Sequence, residues 1–205
     1  ETCALVSDAG SPAISDPGED LVRLCAEAGV TVSAIPGPCA AITALSISGQ
    51  SPGRFCFEGF LSTAKKSRRE HLDSLKSERR TMIFYEAPHK LQNTLKDLTD
   101  AFGPERRISL CRELTKLHEQ ILRMTLGEAL AYYTENDPRG EYVLILEGAA
   151  EASEEALTLE DAVSLALERI ASGASKKDAV REVSRETGFP KNALYDAVLR
   201  MQDAD

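Results

Sequence analysis

No run of apolar residues in this sequence approaches the length of a membrane span. The longest strongly apolar stretch, around Tyr142 to Leu146, is far short of the roughly 20 residues that a bilayer requires, and no charged-then-apolar leader opens the chain. A soluble, unexported, cytoplasmic protein is expected. Histidine is scarce: with only His71, His89 and His118, and with cysteines that never form C-x-x-C or stand beside a histidine at ligand spacing, a zinc or iron centre is hard to assemble. No metal is expected. Cys3, Cys25, Cys39, Cys56 and Cys111 are odd in number and widely spaced, which suits reduced, mostly buried thiols rather than a disulfide framework. The sequence also has no G-x-G-x-x-G and no G-x-x-x-x-G-K-S/T, so neither a dinucleotide fingerprint nor a P-loop is supported. Three scattered histidines give no basis for a Ser-His-Asp arrangement.

What is present is ordinary globular composition: 205 residues, 42% of them apolar and 5% aromatic, enough for one large domain or two small ones. The formal net charge of −9 argues against a polyanionic partner, because affinity for nucleic acid comes largely from cations that displace phosphate counterions. The distribution matters more than the sum. Between Ser62 and Arg80 the cations Lys65, Lys66, Arg68, Arg69, Lys76, Arg79 and Arg80 outnumber the anions Glu70, Asp73 and Glu78. The acid lies elsewhere, notably from Glu151 to Asp161.

Ala4-Leu5-Val6-Ser7 reads as a buried strand, Asp20 to Ala28 as a helix with Leu21, Leu24, Cys25 and Ala28 inward, and Val30 to Ile35 as a second strand. Strand, helix, strand implies a βαβ unit and a parallel sheet. A helix from Cys39 to Ser46, rich in small residues, would pack closely on that sheet. A loop at Gly49 to Gly53 marks a domain boundary near Gly53. Beyond it, strands are expected at Phe55–Phe60, Thr81–Tyr85, Arg107–Cys111, Leu122–Leu126 and Gly140–Glu147, and helices at Ala64–Lys76, His89–Phe102 and Gly127–Thr134. That makes a mixed α/β block with antiparallel pairings. From Glu151 the chain reads as all-helical, with Thr158 and Ser175 as caps, each followed three residues on by an aspartate. A last helix from Pro190 carries Ala193, Leu194, Ala197, Val198 and Met201 on one face. Three short helices resemble a helix-turn-helix arrangement; a packed helical appendage is an equal reading, since helix geometry alone does not establish function.

The loops Asp8–Gly18 and Pro36–Ala41 stand at the carboxyl ends of the first two expected strands, where open α/β sheets bind ligands. Their small residues let backbone approach a ligand closely; Asp8, Pro12 and Pro36 frame them. Taken singly, either is also an ordinary strand-to-helix turn. Glu86 and Glu113 are the carboxylates best placed at strand ends for proton transfer, though each, taken singly, suits a structural ion pair better than a catalytic base.

Five segments then carry a resemblance: Leu5-Val6-Ser7-Asp8-Ala9-Gly10-Ser11-Pro12-Ala13-Ile14-Ser15-Asp16-Pro17-Gly18, Pro36-Gly37-Pro38-Cys39-Ala40-Ala41, Phe57-Glu58-Gly59-Phe60-Leu61, Phe84-Tyr85-Glu86-Ala87-Pro88-His89 and Arg112-Glu113-Leu114-Thr115-Lys116. In this order, and with Lys191-Asn192-Ala193-Leu194-Tyr195 in the tail, the chain resembles the ribosomal RNA small subunit methyltransferase I family of the tetrapyrrole-methylase superfamily. The resemblance implies a two-domain α/β fold with a truncated parallel-sheet domain (1–53), a mixed-sheet domain (54–150) and a helical, helix-turn-helix-like tail (151–205). It also implies that S-adenosylmethionine binds between the two α/β domains. Ala9, Gly10, Ser11 and Ile14 match the first cofactor loop, Cys39 and Ala40 the second, and Glu86, Leu114 and Gly140 positions contributed by the other domain. Ser11 stands where relatives have threonine.

The family's opening strand with its Pro-Ile-Gly-Asn-Leu loop, and its Ala-Glu-Asp-Thr-Arg segment, are not in this sequence. The resemblance therefore implies that roughly three strands and their helices lie outside it. Either the sequence is a piece of a longer protein or another chain completes the sheet. The implied reaction is methyl transfer to the 2′-oxygen of a cytidine in the decoding region of 16S RNA, on the 30S subunit, by a homodimer. Glu86, Glu113, Lys116 and His89 are the candidates for the proton. Lys65, Lys66, Arg68 and Arg69, with Lys176, Lys177 and Lys191, are the candidates for RNA phosphates. The alternatives are a tetrapyrrole or corrin-precursor C-methyltransferase and a non-catalytic ribosome-binding fragment.

Overall fold

The computed structural model describes residues 2–150 and 158–202, and the chain divides into two compact units, 1–149 and 150–205. The first unit is built on a five-stranded mixed sheet. Its strands β1 (Phe55–Phe60), β2 (Thr81–Glu86), β3 (Arg107–Arg112), β4 (Gln120–Thr125) and β5 (Tyr142–Leu146) lie in the order β1-β2-β5-β3-β4. Only β1 and β2 run parallel; the other three pairings are antiparallel. The central strands β2 and β5 are covered on both faces, which is why both read as continuous apolar runs rather than as alternation. Five helices belong to this unit: α1 (Glu19–Glu27), α2 (Ala40–Ser48), α3 (Lys65–Ser74), α4 (Pro88–Phe102) and α5 (Leu126–Glu135).

Alternation along β2 separates two cores. Met82 and Phe84 join Leu72 of α3, Leu91 and Leu95 of α4 and Leu126 of α5 on one face. Ile83 packs on the other face with Ala41, Ala44 and Leu45 of α2, and Tyr85 lies against this second core. Small residues let α2 lie close to the strands, and its last carbonyls, which a helix leaves without partners, are taken up by the sheet. The Ser109 hydroxyl donates to Ser48 O at 2.8 Å, and Arg123 donates to Ser48 O at 3.0 Å and to Ile47 O.

The front of the chain differs from the sequence reading. Residues 4–7 and 30–35 are not strands, and no residue from 2 to 40 is buried; Val6 is 81% and Ile35 90% exposed. A strand is defined by a neighbour that pairs its N–H and C=O groups, and among the described residues neither segment has one. α1 forms regardless, because its stabilisation is local: Arg23 reaches Asp20 at 3.1 Å and Glu27 at 2.9 Å along the helix. The expected inward residues Leu21 and Leu24 are exposed. The thiols follow the same division. Only Cys111 is buried, while Cys3 is exposed and Cys25, Cys39 and Cys56 lie between. Burial raises the Cys111 thiol to about 11 and, with help from Glu58, Cys56 to about 12.

The second unit holds α6 (Leu159–Ala171), α7 (Lys176–Thr187) and α8 (Lys191–Gln202). The acidic stretch expected from Glu151 lies, up to residue 157, outside the described residues. Thr158 and Asp161 form a reciprocal capping box on α6, and Ser175 caps α7 by accepting from Asp178 N. Val163, Val180, Val183, Leu194 and Val198 close the core between the three helices. Of the face expected on α8, Leu194 and Val198 are buried, whereas Ala193 and Met201 are exposed.

Candidate functional site

Strand directions gather the expected site residues of the first unit at one end of the sheet. β1, β2 and β3 finish there at Phe60, Glu86 and Arg112, and β5 begins there, with Tyr142 facing both Glu86 and Arg112 across the ladder. The start of α2 is tied to the same end by Tyr85, whose hydroxyl accepts from Ala41 N at 3.0 Å. Cys39, the N-cap of α2, supplies no side-chain cap.

The two small-residue loops meet backbone to backbone. Ser11 N donates to Pro38 O at 2.9 Å. Gly10, at φ +76°, lies so close that a Cβ there would stand 2.6 Å from the same carbonyl, and only glycine takes this conformation and this approach together. Ala13 holds φ +64°, a conformation costly for a residue with a side chain and characteristic of ligand-binding turns. Asp8, Ala9, Gly10, Ile14, Pro36 and Ala40 are exposed along this ledge, and Ser11, Pro12 and Cys39 are half-buried.

A second ledge comes from the β3–β4 connection. Glu113 and Thr115 both have positive φ, and the Glu113 carboxylate accepts from Glu141 N and from Lys116 Nζ, each at 3.0 Å. Gly140 makes room for it: a Cβ there would meet the Glu113 side chain, from Cγ to the carboxylate, at 2.4–2.7 Å. The Glu141 amide, and then Lys116, hold the Glu113 carboxyl below the usual glutamate range. Glu113 and Glu141 in turn hold the Lys116 ammonium above the usual lysine range. Leu114 is half-buried beside the α2 core.

Glu86 is placed otherwise. Its neighbour Tyr85 faces α2, so alternation sends the Glu86 carboxylate to the opposite face, where it is 4% exposed. It accepts from Thr94 Oγ1 at 2.5 Å and from Ala87 N at 2.9 Å. Thr94 accepts in turn from Arg68 at 2.8 Å, and Arg68 donates to Asp97 at 2.6 Å. Arg68 is thus drawn into the protein with a 14% exposed side chain, while its neighbours Lys66 and Arg69 are 89% and 86% exposed. Its spacing to Leu72 and Leu75 on the inward face of α3 was the signal for this. His89 is exposed in the first turn of α4, and its ring has no hydrogen-bond partner among the described residues.

Between α3 and α4 runs a groove of about 890 Å³ lined by Lys65, Arg69, Lys76, Lys90 and Lys96, with Asp97 among its acids. Lys90 and Lys96 escaped the sequence reading because they are far from the cationic run in sequence and join it only when the two helices pack. In the second unit Lys177 and Lys191 are exposed and Lys176 is half-buried.

Residues 1–130 match the family Tetrapyrrole (Corrin/Porphyrin) Methylases, and residues 158–202 match the RsmI C-terminal HTH domain. The chain is 46% identical over 202 residues to ribosomal RNA small subunit methyltransferase I of Synechocystis sp., which covers 98% of this chain and 72% of that protein. It is 46% identical over 204 residues to the protein of the same name from Escherichia coli O157:H7, covering 98% and 70%. The Mycobacterium tuberculosis counterpart is 43% identical over 200 residues, covering 97% and 68%. Among solved structures, the methyltransferase CobJ is similar with a TM-score of 0.53 at 22% identity, over 69% of this chain and 62% of that one, a likeness of fold. The chain belongs to the tetrapyrrole (corrin/porphyrin) methylases, within the family of ribosomal RNA small subunit methyltransferase I.

Proposed function

We infer that this chain serves S-adenosylmethionine-dependent methylation of small-subunit ribosomal RNA, with the 2′-oxygen of a cytidine in the 16S decoding region as acceptor. The observation that carries the reading is the union of the two small-residue loops, Ser11 N–H on Pro38 C=O, at the sheet end where Tyr85, Glu113 and Gly140 also converge. The tail match at residues 158–202 and relatives at 43–46% identity favour RNA over a corrin precursor as substrate.

S-adenosylmethionine, when bound, supplies an electrophilic methyl group on sulfonium. The residues present fit it. Gly10 packed on Pro38, with Ala9, Ile14, Cys39 and Ala40 along the lip, is a seat whose polar groups are mostly backbone, able to read a ligand's edges without charge. The protein's share is then orientation, worth roughly 7–11 kcal/mol in well-placed reactions, and acceptance of the hydroxyl proton. Among the four residues named for that proton, Lys116 is an ammonium held protonated and the Glu86 carboxylate is buried under Thr94. Glu113 is a depressed carboxylate that fastens Gly140–Glu141 in place. His89, with its ring nitrogens unengaged, is the residue we assign to the proton, and Glu113 with Lys116 position the β3–β4 connection. Lys65, Lys66 and Arg69 hold RNA phosphates, and Arg68 anchors the helix that presents them; in the second unit, taken by itself, Lys176, Lys177 and Lys191 offer further phosphate contacts.

Residues up to Gly53 belong to the cofactor domain, 54–150 to its partner domain and 151–205 to the helical tail. The protein works as a homodimer in the cytoplasm. In support of the latter, no described helix is long and apolar enough to cross a membrane.

Titration calorimetry of this chain with S-adenosylmethionine is the test. Binding heat is expected, and Gly10→Ala should weaken it at least tenfold by forcing the loops apart. Absence of heat with the unaltered chain would reject the enzymatic reading in favour of a non-catalytic ribosome-binding fragment.

A further inference from the structure

β1 carries an irregularity that changes which way its last residue faces. Phe57 pairs with Ile83 of β2, but Gly59, not Glu58, pairs with Phe84, and Phe60 pairs with Tyr85. Glu58 is therefore an extra residue in a bulge, and Gly59 turns there at φ +62°. In an unbroken register Phe60 would share the face of Phe84 and Glu86, the side covered by α3, α4 and α5. One residue of slip exchanges the faces. Phe60 instead shares the α2 face with Tyr85, its ring centroid 5.6 Å from that of Tyr85 at 67°, while Phe57 meets Tyr85 from within the sheet at 5.1 Å and 72°. Phe60 is left 57% exposed. The bulge is also fixed in place: His71 of α3 lies 2.8 Å from the Glu58 carboxylate, so the helix that bears Lys65, Lys66 and Arg69 holds the turn that aims the ring.

An aromatic held edge-on by a second aromatic, re-aimed by a bulge out of the larger core, is a different thing from a stray apolar residue at the surface. Tyr85 joins it to the start of α2 through Ala41 N, so the ring stands beside the proposed cofactor ledge. The phosphate-holding cations begin five residues further on, at Lys65 of α3, a helix that covers the opposite face of the sheet, so RNA that meets both the ring and the cations passes round the edge strand β1. Single-stranded RNA is bound by this pairing of a cationic track with rings on which splayed bases stack. We propose that Phe60, backed by Tyr85, is the stacking platform for an unpaired RNA base next to the acceptor nucleotide. The inference rests on the RNA-methylating reading of the same site.

The test uses this chain and a short single-stranded oligoribonucleotide carrying one 2-aminopurine, whose fluorescence is quenched on stacking. The unaltered chain should bind and quench it. Phe60→Ala and Phe60→Leu should both abolish the quenching and weaken binding by roughly 5- to 150-fold, while Phe60→Tyr preserves both and calorimetric binding of S-adenosylmethionine stays unchanged in all three. Quenching and affinity that survive in Phe60→Ala, while Lys65→Ala/Lys66→Ala/Arg69→Ala loses affinity, overturn the platform and leave the RNA reading standing. Failure of the unaltered chain to bind the oligonucleotide at low salt removes the RNA reading and the platform with it. Loss of S-adenosylmethionine binding in Phe60→Ala with RNA binding intact also overturns the proposal, reassigning the ring to the cofactor's adenine.

Discussion

Thr94 stands between two charged side chains withdrawn from water, donating a hydrogen bond to Glu86 and accepting one from Arg68. Thr94→Ala removes both bonds and leaves a buried carboxylate short of a donor, at a cost of roughly 1–3 kcal/mol. Urea denaturation should show it as a lower midpoint that Thr94→Ser largely restores, and an unchanged midpoint would contradict the network. Glu78 offers a pH signature. The Arg80 guanidinium, then the Arg80 amide, holds its carboxyl down to about 2 against an ordinary 4.5. Between those values the unfolded chain binds more protons than the folded one, so stability rises with pH there. The contribution is complete above the ordinary range and lost as pH falls through about 2. The stability difference between the unaltered protein and Glu78→Gln should therefore be constant above pH 5 and close progressively towards pH 2.

Helix caps give a prediction at the level of elements. Thr158 and Asp161 satisfy two amides at the start of α6 reciprocally, and Thr158→Ala should cost about 1 kcal/mol, read as faster hydrogen exchange in the first turn of α6 with α4 unaffected. That cap was visible in the sequence because it is a local pattern. So were the strands from 55 to 146, β2 and β5 as bounded apolar runs and β4 as an exposed strand. The strands expected at 4–7 and 30–35 had the same appearance and are not there, because pairing is a relation between segments that no single segment encodes. The bulge in β1 was hidden for the opposite reason: Phe-Cys-Phe-Glu-Gly-Phe fits regular alternation, and only the partner register reveals the extra residue. Of the candidate site, the two glycine-bearing loops could be read in advance, whereas the inward turn of Glu86 depended on which face of β2 it occupied.

Across the whole molecule, order is unevenly distributed. Leu91, Leu95, Leu144 and Ile145 are wholly buried, while nothing from residue 2 to 40 is, and resistance to local opening follows buried contact. Hydrogen exchange should find amides of β2 and β5 protected by orders of magnitude over those of residues 30–37; comparable protection in both would contradict the burial described. Within this gradient α2 marks the transition. Tyr85 fastens its first turn, Ser109 and Arg123 its last, so a rod of nine residues is bolted at both ends to the stiffest part of the protein. Whatever settles on Cys39 and Ala40 therefore rests on a floor tied down at both ends.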